Sequence, residues 1–299
     1  MHSDKETTAR GSSSIRARAS GQQDGDHRKT IFLVRHGQSK WNKAVKQRNP
    51  LPLITGRDHT LTDKGIEQAR ALKVAIKTRR ELKSLSGVDA IWISPLGRAL
   101  QTALVATTSI LESKHQASRC PLLLEPLLRE KKNFLSRDTL GARRRGIDCV
   151  KRAVNNLGGR LPADELQLIK SIDVEGSKTR DKWWNSHVER LGKVEKRVYK
   201  LLENIRDAPQ STILLVGHSI FFRELLRCSL KSAADTDPVL SRALTRSKLP
   251  HCGVLRCEVD CSGGGVVLRH AEVLFSPANK DTPRVSRRVH PSDSLVSVG

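Results

Sequence analysis

The sequence predicts an α/β fold, a three-layer α/β/α sandwich with a mostly parallel central sheet. Two features indicate it, namely strand-length apolar runs and segments of helical spacing between them. Short runs of apolar, often β-branched residues alternate with longer segments whose apolar residues recur at helical spacing. The clearest runs, residues 31–34 and 212–216, have the length of buried strands, and a helical pattern soon follows the second. Such alternation is typical of a parallel sheet that is covered on both faces by helices.

The predicted elements can be placed in chain order. Strands are expected at residues 31–34, 89–93, 121–124, 212–216, 254–259 and 265–274. Helices are expected at residues 62–82, 97–110, 181–206 and 219–230, and Thr62 is the expected N-cap of the first. One face of the third helix carries a row of apolar residues, namely Val188, Leu191, Val194, Val198, Leu201, Leu202 and Ile205.

The two ends of the chain differ from its middle. Residues 1–28 are rich in Ser, Gly, Arg and Gln without apolar periodicity, and residues 277–299 are again polar, so both are expected to be disordered tails. Residues 29–276 are the expected catalytic domain. Within it, residues 133–180 form a basic insertion, for which a substrate-contacting segment and a mobile solvated loop both remain open.

Composition limits the classes of protein to which the chain can belong. A net charge of +23 attracts anions such as phosphorylated metabolites, nucleic acid or acidic membrane surfaces. No apolar run approaches the roughly 20 residues of a membrane span, and no apolar segment of a secretory signal begins the chain. The six cysteines show neither a CxxC pair nor zinc-site spacing. We therefore expect a soluble cytoplasmic protein with reduced thiols and no metal site, although targeting to an organelle stays open.

Arg35-His36-Gly37 comes directly after the first predicted strand. The planar guanidinium of arginine can bind two oxygens of a phosphoryl group at once. A neutral histidine that is held in one tautomer can attack phosphorus, and Gly37 allows a close approach of the backbone. On its own, however, such a tripeptide is more typical of a structural turn.

Three further motifs carry charged or titratable side chains. Arg98 falls in the first turn of a helix, where the helix dipole disfavours a cation unless an anion such as phosphate lies nearby. His218 stands between a strand and a helix, so its ring and the following N–H groups can face one anion. Glu130 is an acid in a basic stretch and can protonate a leaving alkoxide, with a surface ion pair as the alternative.

Predicted topology brings these motifs together. His36, Ser94-Pro95 and His218 each follow directly after a predicted strand. In open α/β sheets, ligands bind beyond the carboxyl ends of the strands. We therefore expect segments that are far apart in sequence to meet at one edge of the sheet.

The four motifs, in this order, closely resemble the histidine phosphatase superfamily, in its phosphoglycerate-mutase-like branch. The resemblance runs from about residue 30 to about residue 273. Further matches lie elsewhere in the chain: Asn42 after Trp41, residues 61–65 with Gln68 and Ala69, and Trp183-Trp184 at an expected helix start.

This resemblance implies roles for residues at the matching positions. His36 is the implied nucleophile, which becomes phosphohistidine, and Glu130 is the implied general acid and then base. His218 is implied to be catalytic with them and to belong to the phosphate clamp. The rest of the implied phosphate-binding set is Arg35, Asn42, Arg98 and Ser219. The family needs no metal, and we expect no cofactor.

Mutases and phosphatases of this family differ in what accepts the phosphoryl group. Mutases carry a proline-rich substrate loop after the acid motif, and residues 136–145 lack one, which favours a phosphatase acting on a phosphorylated small molecule or phosphoprotein. Weak candidates for selecting the substrate lie in that stretch: Arg137, Arg143, Arg144 and Arg145.

Two alternatives remain open from the sequence. One is a phosphoglycerate-mutase-type phosphotransfer, and the other is a basic protein of the same fold that binds nucleic acid or an anionic surface. One Tyr and five Phe leave few rings for stacking on single-stranded nucleic acid, which makes that partner less favoured. The phosphoester and the oligomeric state are not determined by the sequence.

Overall fold

The computed structural model describes residues 27–113, 120–131, 144–184, 187–231, 246, 248–262 and 264–277. Residues 1–26 and 278–299, which make up nearly all of the two expected tails, lie outside these ranges. The expected boundaries of the catalytic domain therefore stay predictions. No helix in the described ranges is long and apolar enough to cross a membrane.

The described strands form one seven-stranded sheet. They are β1 (Arg28–Arg35), β2 (Ala90–Ile93), β3 (Leu122–Leu124), β4 (Val174–Glu175), β5 (Thr212–Gly217), β6 (Val254–Asp260) and β7 (Val267–Phe275). Their order across the sheet is β4-β3-β2-β5-β1-β6-β7. The pairs from β4 to β1 are parallel, whereas β6 runs antiparallel to both β1 and β7. The sheet is thus mostly parallel, as predicted.

Helices lie on both faces of this sheet. In the described residues they are α1 (Lys40–Lys46), α2 (Leu51–Thr55), α3 (Asp63–Thr78), α4 (Gly97–Ala106), α5 (Thr108–Ser113), α6 (Gly146–Asn155), α7 (Ala163–Ser171), α8 (Leu191–Asp207) and α9 (Ser219–Lys231). Short 3-10 helices span Arg80–Gly87, Pro126–Leu128 and Ser177–Thr179.

Alternating strand residues divide the core into two clusters. Phe32 and Val34 pack with α3, α4 and α6, whereas Ile31 and Leu33 pack with α8 and α9. This alternation follows from the pleat, because successive side chains of a strand point to opposite faces. The three-layer α/β/α architecture is therefore confirmed.

Three helices differ from their predicted bounds. The predicted helix at 97–110 is two helices, α4 and α5, with Thr107 between them. The predicted helix at 181–206 begins only at Leu191, and Val188 is exposed. Residues just before it make tertiary contacts instead: Trp183 is buried and its Nε1–H donates to the carbonyl oxygen of Arg144 at 2.8 Å. The predicted helix at 62–82 ends at Thr78, where a 3-10 helix takes over. The spacing of apolar residues along the chain contains no information about such tertiary contacts, so it does not predict where they end a helix.

The described part of the basic insertion is folded. Residues 144–180 form α6, α7 and β4, and Cys149, Ala153 and Ile169 are buried in the core. The solvated-loop alternative is therefore wrong for residues 144–180. Residues 132–143 lie outside the described ranges.

Strand register brings distant segments together at one edge. Arg35 at the end of β1 pairs with Gly217 at the end of β5, and Ile93 of β2 pairs with Val216. The residues that follow these three strands, His36, His218 and Ser94, are thus neighbours at the carboxyl edge of the sheet.

Candidate active site

His36 follows β1 and is 3% exposed. Its Nδ1 lies 2.6 Å from the carbonyl oxygen of Gly37, and its Nε2 lies 3.2 Å from Arg98 Nε. A carbonyl oxygen only accepts, so Nδ1 carries the proton and Nε2 accepts from the guanidinium. Burial and the charge of Arg98 hold the pKa of His36 well below its ordinary value. The ring is therefore neutral with its lone pair on Nε2, the form that can attack phosphorus.

Arg98 lies in the first turn of α4 and is 2% exposed. The Thr102 hydroxyl, one turn later, donates to the Arg98 carbonyl oxygen at 2.7 Å and accepts from Gly37 N–H at 3.0 Å. Helix α4 is thereby fastened to the loop that carries His36. This contact fixes the guanidinium and the imidazole relative to each other.

The N-terminus of α4 faces a carboxylate of the protein itself. Gly97 N–H donates to Asp58 Oδ1 at 2.6 Å, and Arg152 Nη1 donates to Asp58 Oδ2 at 2.7 Å. A negative charge here offsets the helix dipole. Asp58 is therefore one anion at this helix end, and the side chain of Arg98 extends to His36. A phosphate near this helix end stays a prediction.

Arg35 is held by the segment that precedes β6. Its Nη1 donates to the carbonyl oxygen of Leu249 at 2.7 Å and its Nη2 lies 3.0 Å from His251 Nε2. Burial lowers the pKa of Arg35 to about 10, so the side chain is still charged at neutral pH. Its orientation is set before any ligand binds.

His251 is a site residue that the sequence analysis missed. Its ring centroid lies 6.1 Å from that of His36, and it lines the same cavity. Burial and the charge of Arg35 lower the pKa of His251 to about 3, so the neutral ring can accept from Arg35. No motif marks this histidine, because it reaches the site through the antiparallel pairing of β6 with β1.

His218 lies beside His36, with ring centroids 5.1 Å apart. Its Nε2 lies 2.7 Å from Ser94 Oγ, and burial holds the pKa of His218 well below its ordinary value. Among the described residues, three buried polar atoms of this region have no hydrogen-bond partner: His218 Nδ1, Arg35 Nε and Ser219 Oγ. Each such atom costs on the order of 1–3 kcal/mol unless something binds it.

Glu130 lies at the N-terminus of α9. Its Oε1 accepts from the N–H groups of Lys131 at 2.9 Å and Phe221 at 3.1 Å, and its Oε2 lies 3.5 Å from the nitrogen of Ile220. Burial raises the pKa of Glu130 above its ordinary value in spite of these donors. The carboxyl group also lines the cavity, so it can hold a proton close to a bound ligand.

A buried ion-pair network fixes the segment that leads to Glu130. Arg197 binds both carboxylate oxygens of Glu189, at 2.9 and 2.7 Å. Its Nη1 also donates to the carbonyl oxygens of Leu127 and Arg129, each at 2.7 Å. The backbone on the N-terminal side of Glu130 is therefore anchored to α8, which limits how far the acid can move.

Asn42 lines the cavity from the first turn of α1. Its Oδ1 accepts from Ser39 N–H at 3.1 Å and from Ser39 Oγ at 2.9 Å, which forms a capping box. Because Oδ1 is occupied in this way, the amide Nδ2 donors of Asn42 are the groups available to a ligand.

Gly37 and Gly65 let the loop after β1 pack against α3. A Cβ on Gly37 would lie 2.5 Å from the Gly65 carbonyl oxygen, and one on Gly65 would lie 2.1 Å from the Gln38 carbonyl oxygen. The close approach expected of Gly37 is therefore made to the protein's own backbone.

These residues surround one cavity of about 310 Å³. We call its floor the lining residues Arg35, His36 and Arg98, together with His218, which does not line the cavity but packs against His36 with ring centroids 5.1 Å apart. We call the three lysines that line it nearer to solvent, Lys46, Lys131 and Lys248, its mouth. Glu130 is the single acidic residue among the described residues of the lining. The cavity is thus strongly positive and suits an anion.

None of the four predicted selectivity residues is found among the described residues that line the cavity. Arg137 and Arg143 lie outside the described residues. Arg144 and Arg145 are exposed beside α6 and do not line the cavity. The mouth lysines were not singled out from the sequence, because lysines are frequent throughout this basic chain. In the described ranges, no group of three or more His, Cys, Asp or Glu side chains is placed to hold a metal ion.

Comparison with known proteins points to the same family that the four sequence motifs resemble. Residues 31–131 match the model of the histidine phosphatase superfamily (branch 1). The chain is 31% identical over 230 residues to the probable phosphoglycerate mutase GpmB of Escherichia coli (strain K12 / DH10B), which covers 76% of this chain and 84% of that protein. It is 34% identical over 101 residues to the protein of the same name from Proteus mirabilis (strain HI4320), but this match covers 33% of this chain and only 37% of that protein.

Solved structures with similar folds include both a phosphatase and a mutase. The mycobacterial glucosyl-3-phosphoglycerate phosphatase Rv2419c has 19% identity and a TM-score of 0.47, covering 84% of this chain and 100% of that one. The phosphoglycerate mutase of Bacillus anthracis str. Sterne has 18% identity and a TM-score of 0.46, covering 81% and 91%. From the family-model match and the Escherichia coli relative, the chain belongs to the histidine phosphatase superfamily.

Proposed function

We propose that this protein is a phosphomonoester hydrolase that works through a phosphohistidine on His36. The observation that carries this proposal is the set of buried, unpartnered atoms beside a neutral imidazole. His218 Nδ1, Arg35 Nε and Ser219 Oγ have no partner in the described residues. Arg35 and Ser219 line one positive cavity, and His218 packs against His36, which lines it as well. A phosphoryl group has three oxygens, each of which can accept from such donors.

In the first step, His36 Nε2 attacks phosphorus while the bond to the leaving oxygen breaks. The charge on the phosphoryl oxygens is stabilised by Arg35, Arg98 and His218, and also by the amide of Asn42. Arg98 Nε, which now contacts Nε2, shifts its hydrogen bond to the phosphoryl group and frees the lone pair. The Nδ1–H bond to the Gly37 carbonyl oxygen stabilises the positive charge that the ring gains.

Glu130 completes the proton transfers. In its protonated form, which its raised pKa favours, Glu130 gives its proton to the leaving alkoxide in the first step. As a carboxylate it then takes a proton from water, whose oxygen attacks phosphorus and breaks the bond to His36. The products are an alcohol, inorganic phosphate and the original neutral histidine.

The proposal is tested by assaying a panel of phosphomonoesters with the wild type and with His36→Ala. We expect the variant to lose hydrolysis of p-nitrophenyl phosphate and of every panel member by at least about a thousandfold. Exposed His27 supplies the matched control, because His27→Ala should keep full activity. Acid-labile phosphate on His36, detected by mass spectrometry after rapid quenching, would report the intermediate. Full activity in His36→Ala would show that the mechanism is wrong.

Mutase activity is the second candidate, because several relatives are named as probable phosphoglycerate mutases. A mutase returns the phosphoryl group to an organic hydroxyl rather than to water. Incubation with 3-phosphoglycerate and a catalytic amount of bisphosphoglycerate distinguishes the two. Release of inorganic phosphate supports the hydrolase, and accumulation of 2-phosphoglycerate without phosphate release supports the mutase.

A further inference from the structure

The segment from Ser39 to Arg57, which carries α1 and α2, contains no acidic residue. It contains five cations, all exposed: Lys40, Lys43, Lys46, Arg48 and Arg57. None of the five forms an ion pair with any other described residue. The segment therefore presents five exposed positive charges without an acidic residue of its own, and Asp63 of α3 lies near Lys40.

The same segment exposes large apolar side chains. Leu51 is 67% exposed, Ile54 56% and Val45 52%, and no residue of α2 is buried although its sequence is Leu-Pro-Leu-Ile-Thr. Single exposed apolar residues are common on protein surfaces. Here, however, Leu51 and Ile54 belong to a helix that lies outside both core clusters and next to five cations. Helix α2 contacts α1 and His59, and these two side chains stay exposed.

We propose that residues 39–57 form a docking surface for an anionic lipid bilayer. Charge complementarity favours this occupant, since lysines and arginines near a surface are attracted by acidic headgroups. Leu51 and Ile54 favour it over nucleic acid, because a phosphate backbone offers such side chains nothing to pack against. Basic residues beside exposed Leu and Ile are the composition of helices that lie in the bilayer interface.

Docking in this way brings the cavity near the bilayer. Trp41, Val45 and Lys46 line the cavity and also belong to the docking surface. The cavity opening therefore borders the proposed contact. The inference does not depend on the proposed phosphatase activity, because it rests on charge and exposure outside the floor.

Co-sedimentation of the full chain with vesicles tests the proposal. The probes are vesicles of phosphatidylcholine alone and of phosphatidylcholine with phosphatidylserine. We expect binding to the second only, weakening as salt rises. Two double variants, Leu51→Ser with Ile54→Ser and Lys40→Glu with Lys43→Glu, should each lower the partition coefficient about tenfold.

Matched controls come from other faces of the molecule. Val74 of α3 is 58% exposed, and Lys196 of α8 is exposed. Val74→Ser and Lys196→Glu should bind vesicles as the wild type does. All substituted residues are exposed, so thermal unfolding should be unchanged in every variant.

Four outcomes would overturn the proposal. They are no binding to acidic vesicles, equal binding to neutral vesicles, unchanged binding in the apolar double variant, and equal loss in the control variants. Duplex DNA serves as a competing probe. If both double variants lose DNA binding but keep vesicle binding, the surface serves nucleic acid and the bilayer proposal is wrong.

Discussion

At the floor of the cavity, His36, Arg98 and His218 are at most 3% exposed, and each has a hydrogen-bond partner within 3.2 Å. At its mouth, Lys46 and Lys248 are exposed and Lys131 is half-buried, and none of the three forms an ion pair with a described residue. Preorganised groups lose little freedom when a ligand arrives, whereas mobile charges attract ligands without fixing their geometry. The difference suggests that the floor carries the chemistry and the mouth tunes which anion enters.

The largest effect in this comparison should come from Glu130, which links floor and mouth. Glu130→Gln should lower turnover of an alkyl phosphate by about 10²–10⁴-fold, because no proton reaches the leaving alkoxide. The value of kcat/KM for p-nitrophenyl phosphate, which reports the first step alone, should fall far less than that for the alkyl phosphate, since p-nitrophenolate leaves without a proton donor. Equal losses with the two substrates would contradict the role of general acid.

The pH profile sharpens this prediction. Glu130 has a raised pKa and must be protonated in the first step, so turnover of an alkyl phosphate should fall as pH rises through that pKa. The descending limb should therefore lie above the ordinary range of a glutamate. It should disappear in Glu130→Gln, which a full profile of kcat/KM for both proteins would reveal.

Arg98→Lys removes a guanidinium group from the floor but keeps the positive charge. We expect kcat/KM to fall by about 10²–10³-fold, since an ammonium group cannot donate from two nitrogens to phosphoryl oxygens. Arg160→Lys is the matched control, because Arg160 forms an ion pair with Asp63 away from the cavity lining. Near-normal activity in Arg98→Lys would mean that charge alone suffices.

His251→Asn should cause a smaller loss by loosening Arg35. A hydrogen bond to a charged group contributes about 1.5–3 kcal/mol, so we expect kcat/KM to fall by about 10- to 150-fold. If His251 positions Arg35, inhibition by vanadate should weaken by a similar factor while the unfolding temperature changes little. A loss of stability with unchanged vanadate inhibition would indicate a structural role instead.

The mouth should give the smallest effects. Lys46→Met and Lys248→Met are each expected to raise KM a few-fold at low salt and to leave kcat unchanged, because solvent-exposed charges are worth about 0–1 kcal/mol. The difference from the wild type should vanish as salt screens the charges. A change in kcat that persists at high salt would place these lysines in the chemical step.

The residues of the floor could be predicted from the sequence, whereas the lysines of the mouth could not. His36, Ser94 and His218 were predicted to meet because each follows a recognisable strand, and parallel strands end at the same edge. Motifs that depend on local pattern are visible in one sequence.

Contacts that depend on tertiary register cannot be predicted from one sequence. His251 reaches Arg35 only because β6 pairs antiparallel with β1. Asp58 faces α4 from a loop that no pattern connects to it. Helix α8 begins later than its apolar spacing suggests. Just before its start, Glu189 forms a buried ion pair with Arg197, which apolar spacing does not reveal.

The position of β5 has a consequence for how the protein is made. β5 lies between β1 and β2 in the sheet, although the chain reaches it only at Thr212. Until then β1 lacks its parallel neighbour, and the His36 N–H lacks the Gly217 carbonyl oxygen that accepts from it at 3.0 Å. On the ribosome, a nascent chain that has not yet passed residue 217 cannot assemble the floor, since such long-range pairing forms late. Translation arrest before that point should yield an inert fragment rather than a partly active one.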